Sequence, residues 1–188
     1  TAALKLQSSV PAAKRAIERI STERQLLQMF GSGLTSADLG DVLDHARIEQ
    51  VPAGKTVIDE GDDGTDIFVI RQGSMVVEKM IGGKPVFLNY LPAGSYVGEM
   101  AVIAGGKRTA SVRAAIKSEV IRIDGPTFLT LLDSKPQLLA KASAVMAERQ
   151  NLNAFVESKK DSFSNVVDMY SNVANFLIEN GIGEATDV

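Results

Sequence analysis

One short run of the sequence, residues 94–112, combines a carboxylate, an arginine and several glycines. Gly98 and Glu99 open an apolar stretch of about one helical turn, and two further glycines lead the chain back to Arg108. A helix that begins after a glycine exposes unpaired backbone N–H groups, which attract an anion. Arg108 brings a planar, permanently charged guanidinium to the same anion. The run therefore predicts an anion-binding site.

Glu99 restricts the chemistry of that anion. A carboxylate beside a bound anion is repulsive unless the ligand also brings a hydroxyl donor, and a ribose supplies one. A phosphate and a sugar hydroxyl read together indicate a nucleotide rather than a bare phosphate. Thr109 and Ser111 offer further hydroxyls on one face, because side chains alternate along a strand.

A simpler alternative concerns Glu99 and Arg108 alone. The two could form a surface ion pair over a β-bulge, an arrangement of nearly neutral energy. That alternative leaves the two glycine positions and the apolar turn between them unexplained. The run as a whole therefore favours the nucleotide-binding interpretation.

Residues 1–46 predict helices. Ser9 can cap the first helix, and Pro11 fits its first turn. Glycines at positions 31 and 33 close the second helix. Apolar residues recur at helical spacing in three places: Ala16, Ile17 and Ile20, then Leu26, Leu27 and Phe30, then Leu39, Val42 and Leu43.

The pattern changes to short strands over residues 47–124 and back to helices over residues 125–188. Many short strands at roughly 8–12-residue spacing are typical of a closed antiparallel structure. Three C-terminal helices are predicted, from Pro126, from about Gln137 and over residues 163–177. The predicted fold is α+β, an antiparallel β-roll (jelly-roll-like) flanked by N-terminal and C-terminal helices, with the anion-binding run inside the roll. The strand-like runs are 47–51, 55–58, 66–71, 74–80, 86–91, 110–115 and 118–123.

Composition excludes several function classes. The 188 residues are 45% hydrophobic and 23% charged, as in globular domains, and no apolar run approaches the roughly 18 residues of a membrane span. The chain has no cysteine and one histidine, His45, which excludes thiolate metal sites, histidine clusters and Ser-His-Asp chemistry. We interpret His45 as a solvated helix residue. A net charge of −3 argues against a nucleic-acid partner. We expect a cytoplasmic, non-catalytic domain.

The order and spacing of the motif residues resemble a known family. Gly98-Glu99-x-Ala101, six residues, then Arg108-Thr109-Ala110-Ser111-Val112 resembles the phosphate-binding cassette of the cyclic-nucleotide-binding domain family. The family includes regulatory subunits of cyclic-AMP-dependent kinase, bacterial catabolite activators and cyclic-nucleotide-gated channels. Glycine-punctuated motifs upstream agree with this, and the resemblance covers roughly residues 26–155: Pro52-Ala53-Gly54, Glu60-Gly61-Asp62-x-Gly64, Phe68-Val69-Ile70 and Gly73.

The resemblance implies roles for the cassette residues. Gly98 and Ala101 would present backbone N–H groups, Glu99 would accept the ribose 2′-hydroxyl, and Arg108 would pair with the cyclic phosphate. Thr109 directly after the arginine is similar to the channel branch and would offer a hydroxyl to a guanine amino group. Matching the long helix to the activators places Leu152, Asn153 and Phe155 near the base. The predicted binding set is Gly98, Glu99, Met100, Ala101, Arg108, Thr109, Ala110 and Asn153.

The function implied is a regulatory sensor of cAMP or cGMP that relays binding through its C-terminal helices. It would be no enzyme and would need no cofactor or metal. The alternatives are a structural or interaction domain that no longer binds a cyclic nucleotide, and an enzyme acting on a nucleotide. The predicted partners are a cyclic nucleotide, no nucleic acid and no membrane, with a homodimer through the C-terminal helices as one option. The effector domain is expected to lie outside these residues. The helix over 163–177 would either cover the β-roll or form a dimer seam or docking surface.

Overall fold

Two four-stranded antiparallel sheets face each other in the computed structural model, which describes residues 2–31 and 33–159. The predicted helix over residues 163–177 lies outside the described residues. The strands are β1 Arg47–Val51, β2 Thr56–Ile58, β3 Asp66–Gln72, β4 Ser74–Ile81, β5 Lys84–Pro92, β6 Tyr96–Val97, β7 Ser111–Ala114 and β8 Ser118–Asp124. Their order is β1-β8-β3-β6 in one sheet and β2-β7-β4-β5 in the other.

Strand β3 shows how the core is divided. Its residues 67–70 are all buried because the strand is covered on both faces. Ile67 and Val69 face a cluster formed with the helices, whereas Phe68 and Ile70 face the second sheet. This alternation is the period-2 geometry of a strand. The sheet of β1, β8, β3 and β6 therefore forms the middle layer of the domain.

Helices cover the outer face of that middle layer. Leu26 of the N-terminal helix and Phe128 are both fully buried in the helical cluster. Asp124 caps the helix that carries Phe128, because its Oδ2 accepts a hydrogen bond of 3.0 Å from the Thr127 backbone N–H. The helices are α1 Ala2–Phe30, α2 Gly40–His45, α3 Glu99–Ala104, α4 Gly125–Ser134 and α5 Pro136–Ser158.

The prediction of two separate helices within residues 1–31 is wrong, since α1 is one helix that contains Pro11. No glycine or proline stands between Pro11 and the end of α1, so no residue there breaks the helical ladder. Ile17 and Ile20 are exposed to 68% and 60%, which shows that their helical spacing marks no core face. The other two predicted apolar sets do contribute to the core, through Leu26 and Phe30 and through Leu39 and Val42.

The α+β fold class is confirmed: an antiparallel β-roll with helices at both ends. The boundaries drawn at residues 46 and 124 stay a prediction. Helix α5 runs from the end of α1, where Lys141 Nζ donates to the Phe30 carbonyl at 3.1 Å, back across the predicted cassette. None of the helices within residues 2–31 and 33–159 is long and apolar enough to cross a membrane.

Candidate functional site

An open cavity lies between α3, the second sheet and α5. It is lined by all eight residues of the predicted binding set: Gly98, Glu99, Met100, Ala101, Arg108, Thr109, Ala110 and Asn153. Most of the remaining lining is aliphatic, from Ile58, Val77, Leu88, Leu91, Val97, Val112 and Leu152. Such a cavity, mainly apolar with a few convergent polar groups, is typical of a small-molecule site.

Arg108 is a buried cation held by neutral groups. Arg108 is 6% exposed. Its guanidinium donates hydrogen bonds to the backbone carbonyls of Gly98 at 2.9 Å and Asp66 at 2.7 Å. It forms no ion pair with a carboxylate of the described residues. Burial lowers the pKa of the guanidinium, while the nearby charges of Asp66, Glu99 and Asp62 act in the opposite direction. The charge therefore remains available to an anion in the cavity.

Two glycines make room for this guanidinium. A Cβ at Gly64 would lie 2.6 Å from Arg108 Nε. A Cβ at Gly98 would lie 2.6 Å from the Asp66 carbonyl oxygen and 2.8 Å from Arg108 Nη1. Gly98 also has φ = +101°, a conformation that side-chain-bearing residues rarely adopt. Both positions therefore require glycine for the arginine to lie where it does.

Glu99 begins α3 and is 1% exposed. Its Oε2 accepts a hydrogen bond of 2.7 Å from Arg149 Nη1. Its Oε1 is buried and has no partner among the residues that the structure describes. A buried acceptor without a donor costs free energy, so a ligand hydroxyl that donates to Oε1 would be stabilising. The alternative of a surface Glu99–Arg108 pair is wrong, because both residues are buried and Glu99 pairs with Arg149.

Arg149 is the site residue that sequence reasoning missed. It lies on α5, donates to the Tyr96 carbonyl at 2.9 Å through Nη2, and stacks its guanidinium 5.6 Å from the Tyr96 ring centroid. Burial raises the pKa of the Tyr96 hydroxyl, and the charge of Glu99 adds to this. One sequence signal could have indicated Arg149: it is a positively charged residue at a position of α5 where the helical periodicity otherwise places apolar residues.

The other predicted base contacts divide into two groups. Leu152 and Asn153 line the cavity, whereas Phe155 does not and is 56% exposed. The placement of Phe155 near the base stays a prediction. The hydroxyl of exposed Thr109 has a 3.6 Å contact with the Met100 sulfur.

Two further sequence candidates have local partners. The Ser111 hydroxyl accepts a hydrogen bond of 2.9 Å from the Glu60 backbone N–H, so it supports the loop before β3. His45 lies exposed in the last turn of α2, with its Nδ1 2.8 Å from the Asp41 carbonyl oxygen. Within the described part of the chain, no group of three or more His, Cys, Asp or Glu residues is placed to hold a metal ion.

Comparison with known proteins points to one family. Residues 48–135 match the family model of the cyclic nucleotide-binding domain. The cAMP-activated global transcriptional regulator CRP of Escherichia coli is 33% identical over 123 residues, which are 64% of this chain and 59% of that protein. The chain thus spans about 59% of the length of this curated relative. The resemblance predicted from the cassette is confirmed.

Solved structures support the fold. The catabolite activator protein of Thermus thermophilus superposes with a TM-score of 0.57 at 24% identity, covering 82% of this chain and 73% of that one. The regulatory subunit of a cAMP-independent protein kinase A from Trypanosoma brucei has a TM-score of 0.64 at 20% identity, covering 78% of this chain and 53% of that one.

The prediction that excluded nucleic acid from the partners is wrong. The E. coli relative is a transcriptional regulator, and transcription is carried out on DNA. A net charge of −3 describes only the 188 residues in hand, whereas that relative is longer than the matched region. Charge summed over one domain therefore does not decide the partners of the whole protein.

The Glu99–Arg149 pair should make a measurable contribution to stability. We expect Arg149→Met to lower the free energy of unfolding by about 2–3 kcal/mol, because it leaves the buried Glu99 carboxylate unpaired. The cost should lie below that of a fully buried pair, since the Arg149 side chain is 21% exposed. Urea denaturation of Arg149→Met, Glu99→Gln and the double variant measures the coupling.

The double variant should cost less than the sum of the two single variants. Arg122→Met is the matched control, because Arg122 pairs with Asp66 while its side chain is 48% exposed. That substitution should cost less than about 1 kcal/mol. Additive costs at residues 99 and 149 would contradict a stabilising pair.

Proposed function

We propose, on the premise that residues 48–135 match the cyclic nucleotide-binding domain, that the cavity binds a cyclic mononucleotide and that the chain is a regulatory sensor. One observation carries the proposal: among the described residues, a buried arginine without a carboxylate partner and a buried carboxylate oxygen without a donor line the same cavity. A ligand with one anionic group and one hydroxyl donor matches both. A cytoplasmic location and the lack of enzymatic activity stay predictions.

The phosphate is assigned to Arg108 and the start of α3. The first N–H groups of a helix have no partner within the helix, so those at Met100 and Ala101 are available to phosphate oxygens. Gly98 contributes because its lack of a side chain allows the phosphate to approach the backbone closely. Ala110, the residue before β7, lines the cavity with a small side chain. The guanidinium supplies charge-assisted hydrogen bonds to the same oxygens.

The ribose is assigned to Glu99. Its Oε2 is occupied by Arg149, and its Oε1 is the acceptor left for the 2′-hydroxyl. An ionised carboxylate has only acceptor oxygens, so a hydroxyl donor suits it whereas a second phosphate oxygen does not.

The base is assigned to the remaining polar groups of the cavity, which include Thr109 and Asn153. We favour cAMP, and the name of the E. coli relative supports this choice. cGMP is the alternative, with the Thr109 hydroxyl accepting from the guanine amino group. Neither Thr109 nor Asn153 carries a charge that would select guanine.

Helix α5 is the proposed relay. Arg149 holds α5 against the cassette through the same carboxylate that would hold the ribose, and Leu152 and Asn153 line the cavity one turn further along. A ligand that changes the contacts of Glu99 therefore changes the energy of α5 in this position. A conformational equilibrium shifts only by such differential contacts.

A second candidate is a domain of the same fold that does not bind a cyclic nucleotide. The Trypanosoma brucei structure supports keeping it, because that chain is the regulatory subunit of a protein kinase A described as cAMP-independent. Calorimetric titration of the purified chain with cAMP and cGMP separates the two candidates. Heat of binding that saturates at one site supports the sensor, and its absence with both nucleotides supports the alternative.

Arg108→Ala should weaken cAMP binding at least about tenfold, since a hydrogen bond to a charged group contributes about 1.5–3 kcal/mol. Arg108→Lys should recover only part of the loss, because lysine lacks the planar fork. Arg113→Ala is the control: Arg113 lies on the following strand and pairs with Glu78 outside the cavity. Isothermal calorimetry on folded variants measures this, and unchanged affinity in Arg108→Ala would overturn the phosphate assignment.

The Glu99 assignment predicts selectivity for the 2′-hydroxyl. The parent chain should bind 2′-deoxy-cAMP more weakly than cAMP, whereas Glu99→Ala should bind the two ligands equally. Glu148→Ala, at an exposed position of α5, should keep the preference of the parent. Equal affinity of the parent for both ligands would place the ribose elsewhere.

The relay predicts that cAMP slows amide hydrogen exchange over residues 137–155 as well as in the cassette. The reason is that ligand contacts at Glu99, Leu152 and Asn153 stabilise α5 against local opening. Residues 47–51 of β1, which lie outside the cavity, provide the internal reference. Protection confined to residues 94–112 would rule out α5 as the relay while leaving the binding proposal in place.

A further inference from the structure

A β-bulge in β5 turns two consecutive side chains toward the cavity. Val77 of β4 pairs with Asn89 and the next residue, Glu78, pairs with Phe87, so Leu88 is left without a partner. In a regular strand, neighbours point to opposite faces. Leu88 and Asn89 both line the cavity, and the extra residue of the bulge accounts for this.

The register places Asn89 at the far side of the cavity from the arginine. Asn89, Val77 and Val112 lie in line across β5, β4 and β7. Two strand spacings separate Asn89 from β7, or roughly 10 Å. Since β7 begins three residues after Arg108, a nucleotide with its phosphate at the guanidinium would extend its base toward Asn89.

The carboxamide of Asn89 has a defined orientation. Its Oδ1 accepts a hydrogen bond of 2.8 Å from the Tyr90 backbone N–H. Asn89 is exposed, so its Nδ2 amino group, which has no acceptor among the residues described, is accessible to solvent or to a ligand in the cavity. A neutral N–H donor at the base end of the cavity matches an acceptor nitrogen of a heterocyclic ring.

The polar groups of the cavity divide by charge. Glu99, Arg108 and Arg149 carry the charges and gather at the phosphate and ribose end, whereas Asn89, Thr109 and Asn153 are neutral. We infer that Asn89 determines base specificity by donating a hydrogen bond from Nδ2 to a ring nitrogen of a purine. This inference rests on the proposed cyclic-nucleotide function and extends the site to β5.

The test compares four ligands on the parent, two variants and one control variant by calorimetry. The ligands are cAMP and its 1-deaza, 3-deaza and 7-deaza analogues, each of which replaces one ring nitrogen by a C–H group. The proteins are the parent, Asn89→Asp, which keeps the acceptor for Tyr90 but loses the donor, and Asn89→Ala. Asn151→Asp, at an exposed position of α5 outside the cavity, controls for the added charge.

The parent should lose about fivefold in affinity for one of the deaza analogues, the scale of a neutral hydrogen bond. Asn89→Asp and Asn89→Ala should bind cAMP at least that much more weakly, with no further loss on the same analogue. If the Asn89 variants lose the same affinity for all four ligands relative to the parent, or lose none, Asn89 does not have this role. Binding of cAMP by the parent would still uphold the proposed function. A parent that binds none of the four ligands would instead remove the function on which the inference rests.

Discussion

The structure of the site depends on burying the positive charge of Arg108 without an ion pair to any carboxylate of the described residues. Two backbone carbonyls accept its N–H groups, and they can come this close only because Gly64 and Gly98 lack side chains. Burial of the charge is costly, and it lowers the pKa of the guanidinium even though the charges of Asp66, Glu99 and Asp62 act in the opposite direction. The fold accepts this cost in a cavity that an anion can enter.

The carboxylate in the same cavity is arranged in the opposite way. Glu99 pairs with Arg149 of α5 and not with the neighbouring Arg108. The guanidinium of Arg108 is therefore available to a ligand. The pairing connects the cassette to a helix that begins beside α1 and passes over the cavity. The charges of the site therefore also determine where the helix lies.

How much of this follows from the sequence depends on the range of the interactions involved. The strands and the cassette are predictable because their periodicity and their glycines are local signals, as the two-sided burial of β3 and the positive φ of Gly98 illustrate. Arg149 and Asn89 are not predictable in this way. Arg149 belongs to the site because it pairs with a carboxylate 50 residues away in the sequence. Asn89 faces the cavity because of a bulge that depends on the pairing of β5 with β4. The two-helix prediction for α1 was wrong because no glycine or proline interrupts the helix between Pro11 and Phe30.

Shared use of one carboxylate is what makes the cavity suited to regulation. A pocket formed by β-strands alone could fill and empty without consequence for the rest of the domain, since close-packed strands have little freedom to move. Here one oxygen of Glu99 holds α5 and the other is left without a donor, so any group that bonds to Oε1 changes the charge distribution felt by Arg149. Within the low-dielectric interior such a change is felt strongly. The proposed coupling between the cavity and α5 therefore runs through a single side chain, and Arg149 also contacts the backbone carbonyl and the ring of Tyr96.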